Sequence, residues 1–534
     1  MLDFLKAKPG DGVQNENQLD KVVPLNFFDD TPLWRAFILY SMFVFDGVLD
    51  ATKLHQNLQK LAHKEAWWKL GARLRQNKNG DLEYHIPAEF TEERPAISFS
   101  HVEFDESAAE HPVACRLPQP SAQPVIVVDP DEFHDLMKPE GGPTKLADYF
   151  NTDRPQLGLH VVSFTDITMV SLYWPHTLMD AMGKSALLNS WISMLQGREN
   201  EVPDPYGTVF DPLADLGTNV TEPHKLAMHR MGTFGLLRYG FNQLPSFFHK
   251  LENRMVCIPH TFITKLHSEA LADLTTISPN QTSQVPFLTE GDVLVAWWTR
   301  LATAHLPLTS PPQTIVLNNA YNLRKVLQPE IIPLNASYIS NAIGFINVLL
   351  SLNDLREKSL GFIASSIRRA IAELGTREQV EAFFEMTRES KMKLPPFFGG
   401  GNAHMVTFSN WTKAGLFEVD FSAAMKESGG VGSGGGKPRY IQNCQFGFTM
   451  PNGFPIIGKD GDGNYWISGY LGVEVWKGLG EMLGKLTELS NPAPEMPTSY
   501  APTNTHLIQE ESGLNGRNDK ATAEHAFCFL HPFP

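Results

Sequence analysis

Cysteine is scarce in this chain. The 534 residues hold four, Cys115, Cys257, Cys444 and Cys528, and no two are spaced as Cys-x-x-Cys. A zinc or dithiol redox motif of that kind is therefore absent. So few thiols in so long a chain make no disulfide framework, which fits a reducing compartment. Basic residues are in the minority: 44 Lys and Arg against 59 Asp and Glu leave a formal charge of −15. Phosphate backbones need clustered cations, so nucleic acid is not expected as a partner. Long uninterrupted apolar runs are missing too. The longest stretch, Leu33 to Leu49, is broken by Arg35 and Asp46 and reads as buried strand, so no membrane span is expected. The opening residues, MLDFLKAKPGDGVQNENQ, lack the apolar core of a signal peptide, and a cytoplasmic location is expected. No His-Glu-x-x-His or Gly-x-Ser-x-Gly occurs, which leaves a zinc protease or an α/β-hydrolase without support.

What is present is globular. Hydrophobic residues make up 42% and charged residues 19%, outside the disordered range. The length exceeds one ordinary core, so two domains are expected. Trp34 to Phe45 reads as a core strand and Gly47 to Leu61 as an amphipathic helix with Asp50 near its start. Val161 to Trp174 reads as one long strand, closed by Pro175, which cannot continue a central ladder. Apolar positions from Met179 to Leu195 then fall at helical spacing. Residues 206–255 contain a Gly-, Pro-, Asp- and Asn-rich stretch and are assigned as a crossover. They separate an N-terminal domain over 1–205 from a C-terminal domain over 256–491, with a loose tail over 492–534. In the second half, Leu288 to Leu301 reads as a helix with Thr289 as N-cap. Met405 to Phe408, Phe417 to Phe421 and Tyr465 to Leu471 read as strands. Strands and helices alternate in both halves, which gives an α/β class with a shared cleft.

The order strand, turn, helix places His176 in the turn. His176-Thr-Leu-Met-Asp180 is an H-x-x-x-D. The same spacing occurs at His101 and Asp105, inside the strand-like run ISFSHVEFD, with neither turn nor helix after it. Only His176 sits where a ring can face a cleft while its neighbours stay packed. An ordinary buried, hydrogen-bonded histidine is the plainer reading of such a residue. The run Ser428 to Lys437 is rich in glycine, but it fails as a P-loop because Val431 and Pro438 stand where Gly and Ser or Thr are needed. A flexible surface loop is expected there.

Three further elements give His176 a context. His176-Thr-Leu-Met-Asp180-Ala-Met-Gly183 resembles the H-x-x-x-D-G element of the BAHD acyltransferases in their fungal branch. Ala181 replaces the usual Gly, which reappears as Gly183. Downstream, Ser409-Asn410-Trp411 followed by Asp420-Phe421 resembles that family's S-W and D-F-G-W-G, with Ser422, Ala423 and Ala424 departing from Gly-Trp-Gly. Between them, Asn322-Leu-Arg324 and Tyr338-Ile-Ser-Asn341 resemble the family's arginine-bearing strand end and Y-x-G-N. The resemblance runs from about Val23 to Gly472.

The resemblance implies two chloramphenicol acetyltransferase-like domains with the active-site channel at their interface. It implies acetyl-CoA or another acyl-CoA as co-substrate, no permanently bound cofactor, no metal, and a small hydrophobic alcohol as acceptor. Asp180 is then structural and pairs with Arg324, and Asp420 is structural as well. Asn341, Ser409, Asn410 and Trp411 are candidates for the donor or substrate channel. A monomer is expected. The chemistry of His176 can be stated separately. Attack of an alcohol on a thioester needs the hydroxyl proton removed, and a neutral imidazole near pH 7 suits that task. Two rivals stay open: an amide-forming condensation-type enzyme, and an inactive ligand-binding paralogue. Pro175 stands where the first usually has a second histidine, and the departures at 181 and 422–424 keep the second open.

Overall fold

The computed structural model describes residues 20–150, 152–244, 249–277, 287–426 and 435–490. The expected tail and the glycine-rich run up to Gly434 lie outside the described residues. The aromatic, β-branched run after Ala36 forms the strand Phe37–Asp46, buried along nearly its whole length. Asp50 caps the next helix, Ala51–His63, by accepting from the Lys53 amide. That helix and Ala181–Leu195 cover one face of a five-stranded sheet with Leu54, Leu58, Leu187 and Trp191. The sheet runs in the order Pro438–Gly447, Phe37–Asp46, Ile167–Pro175, Gly158–Ser163, Ser98–Glu103.

A seven-stranded sheet carries the second core. Its order is Ile343–Ser351, Thr314–Asn322, His404–Asn410, Gly453–Lys459, Tyr465–Gly472, Leu251–Ile258, Val125–Val128. Val293, Leu294 and Trp298 of the helix Glu290–Ala302 pack on it with Ile363 and Ile367 of Leu360–Leu374. Thr289 and Asp292 close a reciprocal capping box at the start of the first of these helices. A small sheet of Lys21–Pro24, Leu82–Ile86 and Arg73–Gln76 completes the strands.

The two larger sheets trade strands. Pro438–Gly447, from the second half of the chain, pairs with Phe37–Asp46 and ends the five-stranded sheet. Val125–Val128, from the first half, pairs with Leu251–Ile258 and ends the seven-stranded one. Neither sheet follows a cut at 205 or 256, because ladder pairing is indifferent to chain position. Leu251–Ile258 also reaches back into the assigned crossover, where Glu252, Asn253 and Arg254 interrupt the apolar pattern of a strand paired on both sides.

Two local expectations change. Val161 to Trp174 is a hairpin of Gly158–Ser163 and Ile167–Pro175, turned at the exposed Thr165 and Asp166. Both arms are fully buried, so their apolar pattern runs on through the turn. Phe417 to Phe421 is not a strand. It holds the short 3-10 turn Leu416–Glu418, entered through Gly415 at φ 61°. Phe417 and Phe421 are buried from that turn and its exit, so alternating burial arises here without a ladder.

Candidate active site

His176 follows directly on Ile167–Pro175, and its amide donates to the Phe37 carbonyl at 3.0 Å. Its ring stacks on Trp34, with centroids 4.3 Å apart, and leans on Phe37 at 6.3 Å. The residue as a whole is partly buried. Its Nδ1 is closed off and has no hydrogen-bond partner, which leaves Nε2 as the nitrogen free to act. Burial holds the imidazole below its ordinary pKa. Its own carbonyl, Asp180 and Asn341 oppose that shift. The ring is therefore neutral near pH 7.

The second half of the chain holds the His176 main chain in place. Asn341 Nδ2 donates to the His176 carbonyl and to Asp29 Oδ1, both at 2.9 Å, and the Asn341 amide donates to the same Asp29 oxygen at 2.9 Å. Behind it, Lys69 pairs with Asp29 Oδ2 at 3.2 Å and donates to Ser340 Oγ. Burial raises the Asp29 carboxyl, with Lys69 and Asn341 pulling the other way. Asn341 was expected in the donor channel. The structure places it behind the His176 main chain, almost fully buried.

Asp180 is four residues after His176 and turns from it to the other half. Arg324 grips it with two bonds of 2.9 Å, Nη1 to Oδ2 and Nη2 to Oδ1. Asp180 also accepts from the amides of Ala342, Met182 and Gly183, the last two as N-cap of Ala181–Leu195. A paired carboxylate with every lone pair engaged is a buried brace. Gly183 is the next necessity. A Cβ there would lie 2.1 Å from the Ile339 carbonyl oxygen. The helix crosses the 338–342 strip at that point, which is why the glycine stands at 183.

The same helix turn grips the other half a second time. Ser185 Oγ donates to the Ala414 carbonyl at 2.7 Å. Lys184 Nζ donates to Ser41 Oγ and Asn443 Oδ1, each at 3.0 Å, and lies 4.9 Å from the Trp411 ring centroid. Among the described residues it has no carboxylate partner, and burial lowers its pKa to about 7. Trp411 Nε1 in turn donates to Ser409 Oγ at 2.7 Å. Asn410 is exposed and caps the turn at Thr412. Asp420 accepts from the Ser422 amide at 2.9 Å, a local turn, and sits against Gly436.

Sequence reasoning missed Trp34, Asp29, Lys69 and Lys184. Asp29 and Trp34 lie in the run Phe-Phe-Asp-Asp-Thr-Pro-Leu-Trp, whose paired acids ahead of an apolar strand were the available signal. A depression of about 480 Å³ lies elsewhere, lined by Met228, Arg230, Thr314 and Gly399. What sets His176 apart is its side-chain chemistry, not a large cavity.

Comparisons with known proteins give the chain's family and the fold it shares. A family model described as the Transferase family matches residues 128–426, more than half of the chain. Among curated relatives, "Acetyltransferase adrJ" of Penicillium rubens is 36% identical over 480 residues, covering 88% of this chain and 96% of the relative. "O-acetyltransferase PaAT-2" of Phomopsis amygdali is 34% identical over 488 residues, covering 88% and 98%. "Transcriptional regulator calD" of Penicillium decumbens is 39% identical over 472 residues, covering 86% and 94%. Among solved structures, F. sporotrichioides TRI101 complexed with coenzyme A and T-2 superposes with a TM-score of 0.61 at 15% identity, covering 85% of this chain and 96% of that one. Vinorine synthase superposes at 0.52 and 13% identity, covering 87% and 94%. The fold is thus that of two-domain, chloramphenicol acetyltransferase-like proteins, and the chain belongs to the Transferase family, the BAHD-type acyltransferases that its motifs around His176 and Asp420 resemble.

Proposed function

We propose that this chain moves an acyl group, most simply acetyl, from coenzyme A to a hydroxyl of a hydrophobic secondary metabolite, with His176 as general base. The observation that carries the reading is the imidazole itself: on a residue only partly buried, stacked on Trp34, kept neutral by burial, and closed at Nδ1. Nε2 takes the acceptor's hydroxyl proton as the oxygen attacks the thioester carbonyl. The tetrahedral intermediate expels the coenzyme A thiolate, which takes the proton back from Nε2. Charge and protons balance with no covalent enzyme intermediate.

The donor and acceptor classes rest on the relatives. The names adrJ and PaAT-2 carry acetyl transfer. Related TRI101 structures hold coenzyme A with T-2 mycotoxin or deoxynivalenol. In this reading, donor and acceptor meet at His176 in a channel between the halves, where Ser409 and Trp411 flank the donor side. Arg324, Asp180 and Asn341 hold the frame across the two halves, and Asp420 has the smaller structural part of fixing its own turn. The chain works as a cytoplasmic monomer, and no described helix is long and apolar enough to cross a membrane. Gel filtration checks the monomer. The function is tested by following free thiol from acetyl-CoA against a pool of hydroxylated metabolites, with mass spectrometry of the product. An ester 42 mass units heavier than its alcohol, roughly the mass of one added acetyl, is the expected outcome. Amide products alone would favour the condensation reading.

A second reading has one observation in its favour. The 39% identical relative is named a transcriptional regulator, which suits a non-catalytic paralogue. No thiol release with any donor, from a folded protein that still binds acyl-CoA, would select it.

A further inference from the structure

The chain has no Cys-x-x-Cys, yet the fold assembles a different set of metal-binding groups, distinct from His176. Asp131 and His134 lie on consecutive turns, Pro130–Phe133 and His134–Met137, directly after Val125–Val128. Cys444 lies within Pro438–Gly447, opposite Tyr40. These are the two strands that the sheets exchange.

His134 Nε2 is 2.9 Å from Cys444 Sγ and 3.4 Å from Asp131 Oδ1. The three donor atoms all lie within 4.8 Å of one another. A nucleophile relay places the thiol and the carboxylate on opposite ring nitrogens. Here both face the same nitrogen, so the relay reading fails and the atoms converge on one point instead. With bonds of about 2.0–2.3 Å, a tetrahedral zinc holds its ligand atoms roughly 3.3–3.8 Å apart; the Nε2–Oδ1 spacing of 3.4 Å lies in that range, and the Nε2–Sγ contact of 2.9 Å would have to open by about half an ångström on binding. Thiolate, imidazole and carboxylate together suit Zn²⁺ among the common divalent ions.

Outer contacts already orient the set. Asp131 Oδ1 accepts from Asn253 Nδ2 at 2.9 Å and Tyr470 OH at 3.2 Å, both on the seven-stranded sheet. The His134 ring rests on Phe446, with centroids 4.9 Å apart. Metal ligands need such second partners to fix them. Cys444 is buried, while Asp131 and His134 keep partial exposure, which leaves a fourth position for solvent water.

We propose that Asp131, His134 and Cys444 form a zinc site that ties the two sheets together where they exchange strands. Binding displaces the Cys444 thiol proton to solvent and leaves the thiolate on the metal. Metal binding by these three residues needs no step of acyl transfer, so it stands or falls apart from the function proposed for His176.

The test uses the purified full chain, stripped by chelation and titrated with Co²⁺. One equivalent should bind with a thiolate-to-Co²⁺ charge-transfer band, and Zn²⁺ should displace it. Cys444→Ser should abolish the band, and Cys115→Ser, at an exposed thiol, should keep it. His134→Gln should weaken Co²⁺ binding roughly tenfold or more. Zn²⁺ should also raise Tm, since a ligand of the folded state stabilises it. Absence of a saturable band, or a band that survives Cys444→Ser, overturns the proposal. If Cys444→Ser does not fold, His134→Gln decides, and unchanged affinity overturns it.

Discussion

Two loops meet the shared turn of Ala181–Leu195, and they are built differently. The first, His176 to Asp180, is held almost wholly by distant partners: Phe37, Arg324, Asn341 and Ala342. The second, Trp411 to Ala424, is a series of short turns with local bonds at Asn410 and Asp420. It reaches the helix through Trp411, through Ala414 and through Phe421, whose ring packs edge-on against Trp191. The His176 loop is fixed by side chains from across the molecule, while the second loop combines its own turns with distant backbone bonds to Ile456, Gly436 and Asp50.

Five substitutions put that contrast to the test. His176→Ala should lower turnover by about 10²-fold or more, measured as thiol release. Because the folded imidazole is held below its ordinary value and acts neutral, the acid limb of kcat/KM should lie below pH ~6.5. Activity is present above that limb and lost as pH falls through it. Asp180→Asn keeps an N-cap but removes the charge facing Arg324. It should cost about 3 kcal/mol in urea unfolding and lower the rate as well. A purely kinetic effect would favour an orienting triad. Gly183→Ala puts a methyl against the Ile339 carbonyl and should cost about 1–3 kcal/mol. Lys184 is lowered from 10.5 to about 7 by burial. The unfolded chain therefore binds the extra proton between those values, and stability should rise with pH across that window. Lys184→Met should flatten the rise in a Tm series. Asp420→Asn, on the locally built loop, should change stability by less than about 1 kcal/mol and leave turnover unaltered.

Much of the frame could be read from residue order. The helix Leu360–Leu374 matches its apolar spacing end to end, and Thr289 caps as its chemistry implies. His176 stood out because strand, proline and helix signals bracket it. What could not be read was long-range. Nothing near Asp29 or Lys69 announces a pair separated by forty positions, and no spacing rule joins Cys444 to His134. Phe417 and Phe421 misled for the opposite reason, since a buried turn and a strand leave the same apolar alternation.

The exchange of strands also has a consequence during biosynthesis. Phe37–Asp46 leaves the ribosome about 390 residues before Pro438–Gly447 arrives to cover its free edge. At ordinary elongation rates that is a wait of roughly 20–80 seconds. Throughout it, an apolar ribbon with unpaired amides stands open to any passing strand. Fragments that stop short of residue 438 inherit that open edge permanently.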